Sequence, residues 1–142
     1  MIYLTGANGL IGTRFQQFCK NNYEVKTLTY RDLRKDEIFI DSHIEPPCLV
    51  HLGWSSNTRT SVMDQTKLDV HNSQILFQKF HEKNPEGKII FVSTAGDMHQ
   101  NQTGVTETTK RNPRTLYGHA KLQVENELEF SSPCQTVVLR VS

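Results

Sequence analysis

The sequence has no marked excess of charge, few cysteines and no long apolar run. Its 16 basic and 15 acidic side chains leave a formal net charge of +1, which gives no support to nucleic-acid binding through phosphate neutralisation. The three cysteines (Cys19, Cys48 and Cys134) lie far apart without metal-type spacing, so we expect buried, inert thiols and no metal site. The chain begins on an apolar strand rather than a secretory leader, and no run is long enough to span a membrane. These absences predict a soluble, cytoplasmic protein.

Short apolar runs alternate with longer amphipathic ones along the chain. The pattern predicts strands at 2–4, 24–30, 37–40, 48–52, 88–93 and 136–141, and helices at 10–20, 62–83 and 116–130. Alternation of this kind is typical of a doubly wound α/β fold, a parallel sheet of about six strands with helices on both faces. The chain stops directly after the last apolar run. We therefore expect residues 1–142 to form a single domain that is cut short of a further one.

A glycine-rich segment separates the first predicted strand from the first helix. It reads TGANGLIG at positions 5–12. Glycines at these positions allow a tight turn, close approach of the backbone to a phosphate and close packing of helix on strand. We expect the segment to hold a dinucleotide through Gly6, Asn8, Gly9, Leu10, Ile11 and Gly12.

A tyrosine and a lysine lie four residues apart near the start of the third predicted helix. This spacing puts Tyr117 and Lys121 on one helix face. A nearby ammonium group favours the phenolate that a tyrosine needs in order to act as a base. The lysine can also hold a ribose. Such pairs also occur by chance on helix surfaces, and the spacing alone does not distinguish a catalytic pair from a surface pair.

Together these motifs resemble the extended branch of the short-chain dehydrogenase/reductase family, which includes the nucleotide-sugar epimerases. The glycine loop of that branch reads T-G-x-x-G-x-x-G, and this chain matches every defined position. Its catalytic helix often opens Y-G-x-[SA]-K, as YGHAK does at 117–121. The resemblance implies a Rossmann domain that binds NAD or NADP and that lacks the smaller C-terminal substrate domain. It also implies a homodimer formed through the two long helices.

The resemblance further implies a third catalytic residue just past the fifth predicted strand. Thr94 matches the family's hydroxyl best, with Ser93 as the adjacent alternative, and would orient a sugar hydroxyl against Tyr117 for hydride transfer. Dehydratases of the family carry an Asp-Glu pair directly afterwards, where this chain has Ala95 and Gly96. We therefore expect an epimerase or a reductase acting on a nucleotide-sugar. The alternative is a non-catalytic dinucleotide-sensing or scaffold protein.

Two further segments bear on the cofactor. Thr29 stands where NAD-using members carry an acidic residue and Arg31 follows closely, so this stretch favours NADP over NAD. The segment HLGW at 51–54 corresponds to the family's H-L-A-A, so Leu52 and Gly53 would border the cofactor. Trp54 either narrows the nicotinamide pocket or packs against the following loop, and we favour packing. We assign His51 a structural role.

Overall fold

The computed structural model describes residues 1–35, 38–39, 45–55, 63–131 and 135–142. Its strands are β1 (Ile2–Thr5), β2 (Val25–Leu28), β3 (Cys48–His51), β4 (Lys88–Thr94) and β5 (Gln135–Val141). Its helices are α1 (Leu10–Cys19), α2 (Met63–Lys83), α3 (Ala95–Met98) and α4 (Leu116–Ser131), with a 3₁₀ turn at Asp32–Arg34. In this part of the chain, each helix is too short or too polar to cross a membrane.

The strands form one parallel sheet in the order β2-β1-β3-β4-β5. Ile2 of β1 pairs with both Val25 and Cys48, so β1 lies between β2 and β3. The chain moves one way across the sheet from β1 to β2 and the other way from β3 to β5. Ligands bind such sheets in the crevice outside the carboxyl ends of the strands, at the point where this order reverses. Here that point lies between Thr5 and His51, the last residues of β1 and β3.

The main core lies between the sheet and the two long helices. Right-handed crossovers that run in opposite directions place α1 on one face of the sheet and α2 on the other. Helix α4 packs against α2 on the same face. The fully buried side chains there are largely aromatic or branched, namely Tyr3, Leu49, Leu76, Phe80, Ile89, Phe91 and Val124.

The Rossmann architecture is confirmed, but the third predicted strand is wrong for the residues described there. Ile38 and Phe39 form a turn. The Phe39 ring meets Tyr3 edge-on at 4.9 Å and Phe80 at 5.2 Å between ring centroids. The apolar character of this segment therefore serves packing against the core rather than strand pairing. Glu37 and Ile40 lie outside the described residues, within which the sheet has five strands rather than about six.

The other predicted elements match within a few residues at their ends. The helix predicted at 62–83 is confirmed from Met63, and Val62 falls outside the described residues. Cys19 is buried and Cys48 half-buried, and burial raises the pKa of both thiols. Cys134 also lies outside the described residues. The short helix α3 was not predicted from the sequence.

Candidate functional site

The glycine loop is held tightly against the end of β3. Gly6 adopts a left-handed φ of 70°, and a Cβ there would stand 2.7 Å from the backbone nitrogen of Gly53. A Cβ on Gly12 would collide with the carbonyl oxygen of Gly6. Only glycine fits either position, since one needs a left-handed backbone and the other a close helix–loop contact. These two glycines fix the loop at the topological switch point.

The N-terminus of α1 is open to an anion. Gly9 is its N-cap, and among the described residues no side chain caps the helix there. The first turn carries no acidic residue, and Leu10 and Ile11 are exposed. The backbone N–H groups and the positive end of the helix dipole are therefore free to meet a phosphate.

A cavity of about 510 Å³ lies between the loop and the ends of β2 and β3. Of the predicted cofactor-binding residues it brings together Gly6, Asn8, Gly9, Thr29, Leu52 and Gly53. Leu10, Ile11, Gly12 and Arg31 do not line it, and neither does Lys121. Gln16, Tyr30, Gln65 and Asp69 line it without having been predicted.

A carboxylate reaches the predicted ribose position from three residues downstream. Asp32 accepts hydrogen bonds from the backbone N–H and the hydroxyl of Thr29, both at 2.8 Å. It also forms a 2.8 Å ion pair with Lys35. The hydrogen bond from Lys35, followed by those from Thr29, lowers the pKa of Asp32 to about 2. The sequence-based prediction for the ribose position rested on Thr29 and did not include the carboxylate of Asp32. Arg31 next to it is exposed.

His51 links the loop strand to helix α2. Ser73 Oγ donates its proton to the carbonyl oxygen of Asp69 at 2.7 Å, so it accepts from His51 and the ring carries its proton on Nε2. Thr5 Oγ1 accepts a 2.9 Å hydrogen bond from the N–H of Gly53 and donates to His51 Nδ1, 2.6 Å away. His51 Nε2 then donates to Ser73 Oγ at 2.9 Å. Burial, with the charge of Lys121 as a smaller cause, lowers the pKa of His51 to about 3. The ring is therefore neutral and structural, as expected.

Tyr117 and Lys121 lie one turn apart on α4, and the lysine points inward. Lys121 is 3% exposed, and its Nζ donates to the carbonyl oxygen of Val92 at 2.9 Å. The Nζ atom stands 5.7 Å from the centroid of the Tyr117 ring. Burial lowers the pKa of Lys121 to about 7, against the opposing effects of Asp69 and Glu125. The pair is thus not the surface pair that its spacing also allows.

Thr94 caps α3 and is tied to a carboxylate. Its Oγ1 accepts from the N–H of Asp97 at 3.3 Å and donates to Asp97 Oδ2 at 3.1 Å. Asp97 Oδ1 accepts a second hydrogen bond from Thr115 at 2.8 Å. Thr115 in turn accepts from the N–H of Gly118, next to Tyr117. Asp97 therefore connects Thr94 to the start of α4, a role that sequence reasoning missed.

Trp54 lies between the cavity and the Tyr117–Lys121 pair. It lines the cavity, and its ring centroid is 4.0 Å from Lys121 Nζ and 6.2 Å from the Tyr117 ring. Packing against the following loop concerns residues 56–62, which lie outside the described residues. Its contact with Lys121 could not be read from the sequence, since the two residues are distant in the chain.

A family comparison identifies the chain. The model of the NAD dependent epimerase/dehydratase family matches residues 2–141. The chain belongs to this family. Membership confirms the resemblance drawn from the glycine loop and the tyrosine–lysine pair. A search among curated proteins found no match.

Several solved structures share the fold. UDP-glucose 4-epimerase of Thermotoga maritima, solved with UDP-glucose, is 25% identical with a TM-score of 0.77. A dTDP-4-dehydrorhamnose reductase of Clostridium acetobutylicum is 22% identical with a TM-score of 0.79. RMD of Pseudomonas aeruginosa, complexed with NADPH, is 19% identical with a TM-score of 0.72. The matches cover 98%, 99% and 98% of this chain but only 54%, 52% and 52% of those chains, respectively. This chain therefore spans about half the length of these structures.

Proposed function

We propose that the chain is the dinucleotide-binding part of an enzyme that transfers hydride between a nicotinamide cofactor and a nucleotide-sugar, as an epimerase or a reductase. The observation that carries the proposal is the placement of an open glycine-loop cavity beside a buried lysine and its tyrosine. Trp54 lines this cavity and also contacts Lys121 and Tyr117. The family to which the chain belongs and the reactions named for its structural neighbours support the same kind of chemistry.

The glycine-loop end would hold the pyrophosphate and the adenosine. The pyrophosphate would take backbone N–H groups at the start of α1, those of Leu10 and Ile11 among them, with Asn8 beside them. Gly12 would keep helix and loop close enough for this contact. Leu52 and Gly53 would form the opposite wall of the crevice.

The charges at the end of β2 support NADP over NAD. This stretch carries three basic side chains, Arg31, Arg34 and Lys35, and one acidic side chain, Asp32. Lys35 already pairs with Asp32. A 2′-phosphate beside Thr29 would therefore meet a corner with more positive than negative charge. The carboxylate of Asp32 opposes this choice, since it would accept ribose hydroxyls and repel a phosphate. We keep NADP as the proposed cofactor.

The α4 end would carry out the proton transfer. Tyr117 as phenolate would take the proton of a sugar hydroxyl, and the Lys121 ammonium would stabilise that phenolate and bind the nicotinamide ribose. The Thr94 hydroxyl, which now donates to Asp97 Oδ2, would instead donate to the oxygen of the sugar hydroxyl and so leave the sugar proton to point at Tyr117. The bound nicotinamide would supply the hydride acceptor. With Ala95 and Gly96 after the threonine, water elimination by the dehydratase route is not proposed.

A homodimer is part of the proposal. Apolar side chains are exposed on both long helices, including Leu68 on α2 at 48% and Phe130 on α4 at 81%. A second copy would cover them, as the family resemblance implies.

The closed state of the α4 end favours a second candidate, a non-catalytic dinucleotide-sensing or scaffold protein. Lys121 is enclosed by aromatic rings, and the Thr94 proton is committed to Asp97. A scaffold, however, has no chemical need for a threonine, a tyrosine and a lysine in this arrangement.

A turnover assay separates the two candidates. The chain is incubated with NADP⁺ or NAD⁺ and UDP-glucose, and with NADPH or NADH and dTDP-4-dehydrorhamnose, and product is measured. We expect only weak turnover from this chain, which spans about half of its structural neighbours, and we expect Tyr117→Phe to reduce it at least about 100-fold because the general base is gone. Cofactor affinity should be nearly unchanged, because the phenol is not proposed to hold the cofactor.

Two outcomes of this assay count against the enzyme. Cofactor binding without turnover of either substrate would favour the scaffold candidate. Equal loss of turnover and cofactor affinity in Tyr117→Phe would refute the role given to Tyr117.

A further inference from the structure

Lys121 is surrounded by three aromatic rings. Its Nζ lies 4.0 Å from the centroid of Trp54, 4.6 Å from that of Phe91 and 5.7 Å from that of Tyr117. One of its hydrogen bonds goes to the carbonyl oxygen of Val92. A ligand hydroxyl can approach the ammonium from the cavity only when a ring moves aside.

The surroundings of the rings decide which one moves. Phe91 is fully buried within β4 and stacks on His51 with 5.6 Å between centroids. Tyr117 is fixed to the first turn of α4. Trp54 follows β3 outside any helix or strand and is only half-buried. Its buried Nε1 has no hydrogen-bond partner among the described residues, so moving the indole breaks no hydrogen bond recorded there.

We propose that Trp54 is a cofactor-recognition residue, a ring that covers Lys121 until the nicotinamide half of a dinucleotide displaces it. The inference rests on the proposed dinucleotide binding. Trp54 lines the glycine-loop cavity and Lys121 does not, so the indole stands across the path from the cavity to the ammonium. A ligand that ends at the 5′-phosphate or diphosphate of its adenosine half fills the cavity without reaching Lys121. Trp54 thereby distinguishes a complete dinucleotide from its adenosine half.

Tryptophan fluorescence reports this displacement without a variant, because Trp54 is the only tryptophan in the chain. The folded wild-type chain is titrated with NAD⁺ and NADP⁺, and with ADP and adenosine 2′,5′-bisphosphate as their truncated counterparts. We expect the complete dinucleotide to change the Trp54 emission as the ring leaves the ammonium. We expect the truncated ligand to bind with little change in emission.

Calorimetry on a variant gives the second readout. Trp54→Leu keeps an apolar side chain but removes the cation–π contact, so the complete dinucleotide should bind about tenfold more tightly. Affinity for the truncated ligand should stay unchanged. Phe18→Leu is the matched control, since Phe18 is 74% exposed on α1 and its loss should change neither affinity.

Three results would overturn the proposal on Trp54 while leaving dinucleotide binding intact. The first is binding of the complete dinucleotide with no change in Trp54 emission. The second is a truncated ligand that changes the emission as much as the complete dinucleotide does. The third is weaker binding of the complete dinucleotide by Trp54→Leu than by the wild type. Absence of binding by all four ligands to the folded wild-type chain would instead refute the proposed function, and the role of Trp54 with it.

Discussion

The two ends of the site differ in how they are built. The glycine-loop end is an open cavity of about 510 Å³, shaped by Gly6 and Gly12 and by a helix N-terminus without a side-chain cap. The α4 end is closed, with the Lys121 ammonium against Trp54 and the Thr94 hydroxyl bonded to Asp97. Both ends lie at the carboxyl edge of the same parallel sheet.

The difference follows from what each end is made of. Backbone N–H groups at a helix N-terminus face solvent, so the open end needs no substitute partner while it waits for a ligand. A buried ammonium or hydroxyl without a partner costs free energy, so the groups of the closed end satisfy one another. A ligand must therefore fit the first end and displace contacts at the second.

The largest expected effect breaks the open end. Gly12→Ala places a methyl group against the carbonyl oxygen of Gly6, so helix α1 must move away from the loop. We expect cofactor affinity to fall roughly 100-fold and stability to fall by about 3 kcal/mol. Calorimetric titration and denaturant unfolding measure the two effects.

The matched control is another glycine-to-alanine change near a helix start. A Cβ on Gly96 in α3 meets nothing within 4 Å, so Gly96→Ala should leave both quantities nearly unchanged. If Gly12→Ala behaved like this control, the close packing of loop and helix would not be what shapes the cavity.

The second prediction tests the residue that joins the two ends. His51 bonds Thr5 below the glycine loop and stacks on Phe91 below Lys121. Burial lowers its pKa from 6.5 to about 3, so as pH falls below 6.5 the unfolded chain binds a proton that the folded chain does not. Folding stability should therefore drop by about 2 kcal/mol from neutral pH to about pH 5 through this group.

His51→Gln isolates the contribution of this histidine from those of the others. The variant can keep hydrogen bonds to both neighbours, but it has no proton to bind in this window. Its stability, measured by urea unfolding, should fall by about 2 kcal/mol less than that of the wild type over the same pH range. Identical pH profiles would show that His51 is not buried as a neutral ring.

The smallest effect sharpens the chemistry of the adenosine corner. Arg31→Ala should weaken NADP⁺ binding about tenfold and leave NAD⁺ binding unchanged, because only the former offers a 2′-phosphate. Asp32→Asn should shift preference further toward NADP⁺, because it removes the carboxylate but keeps an oxygen for the Thr29 N–H. Lys20→Ala, at the far end of α1, is the control. Tighter NAD⁺ than NADP⁺ binding in the wild type would overturn the cofactor preference.

Local sequence patterns predicted the fold and the glycine loop well. The shape of the loop depends on its backbone geometry, and the glycines at positions 6 and 12 indicate that geometry directly in the sequence. Apolar patterning likewise located all five strands of the described sheet within about two residues of their ends. The segment at Ile38 and Phe39 misled because two adjacent apolar residues fit a buried turn as well as a strand, and tertiary packing against Tyr3 decides between them.

Contacts between distant parts of the chain were beyond prediction. Trp54 and Lys121 meet through the fold, as do Asp97 and Thr115. Asp32 is close to Thr29 in sequence, but its bond depends on the 3₁₀ turn that begins there. Periodicity predicts which face a residue takes on its own element, not which side chain of another element it meets.

Dinucleotide binding at the open end is the central claim, and calorimetric titration of the folded wild-type chain with NADP⁺ and NAD⁺ tests it most directly. The Gly9→Asp variant is measured beside the wild type. Aspartate is a good N-cap that keeps α1 intact, but its charge repels a phosphate. We predict binding of the dinucleotide by the wild type, with NADP⁺ tighter, and loss of that binding in Gly9→Asp. Absence of binding to either cofactor, or equal binding by Gly9→Asp, would contradict the account.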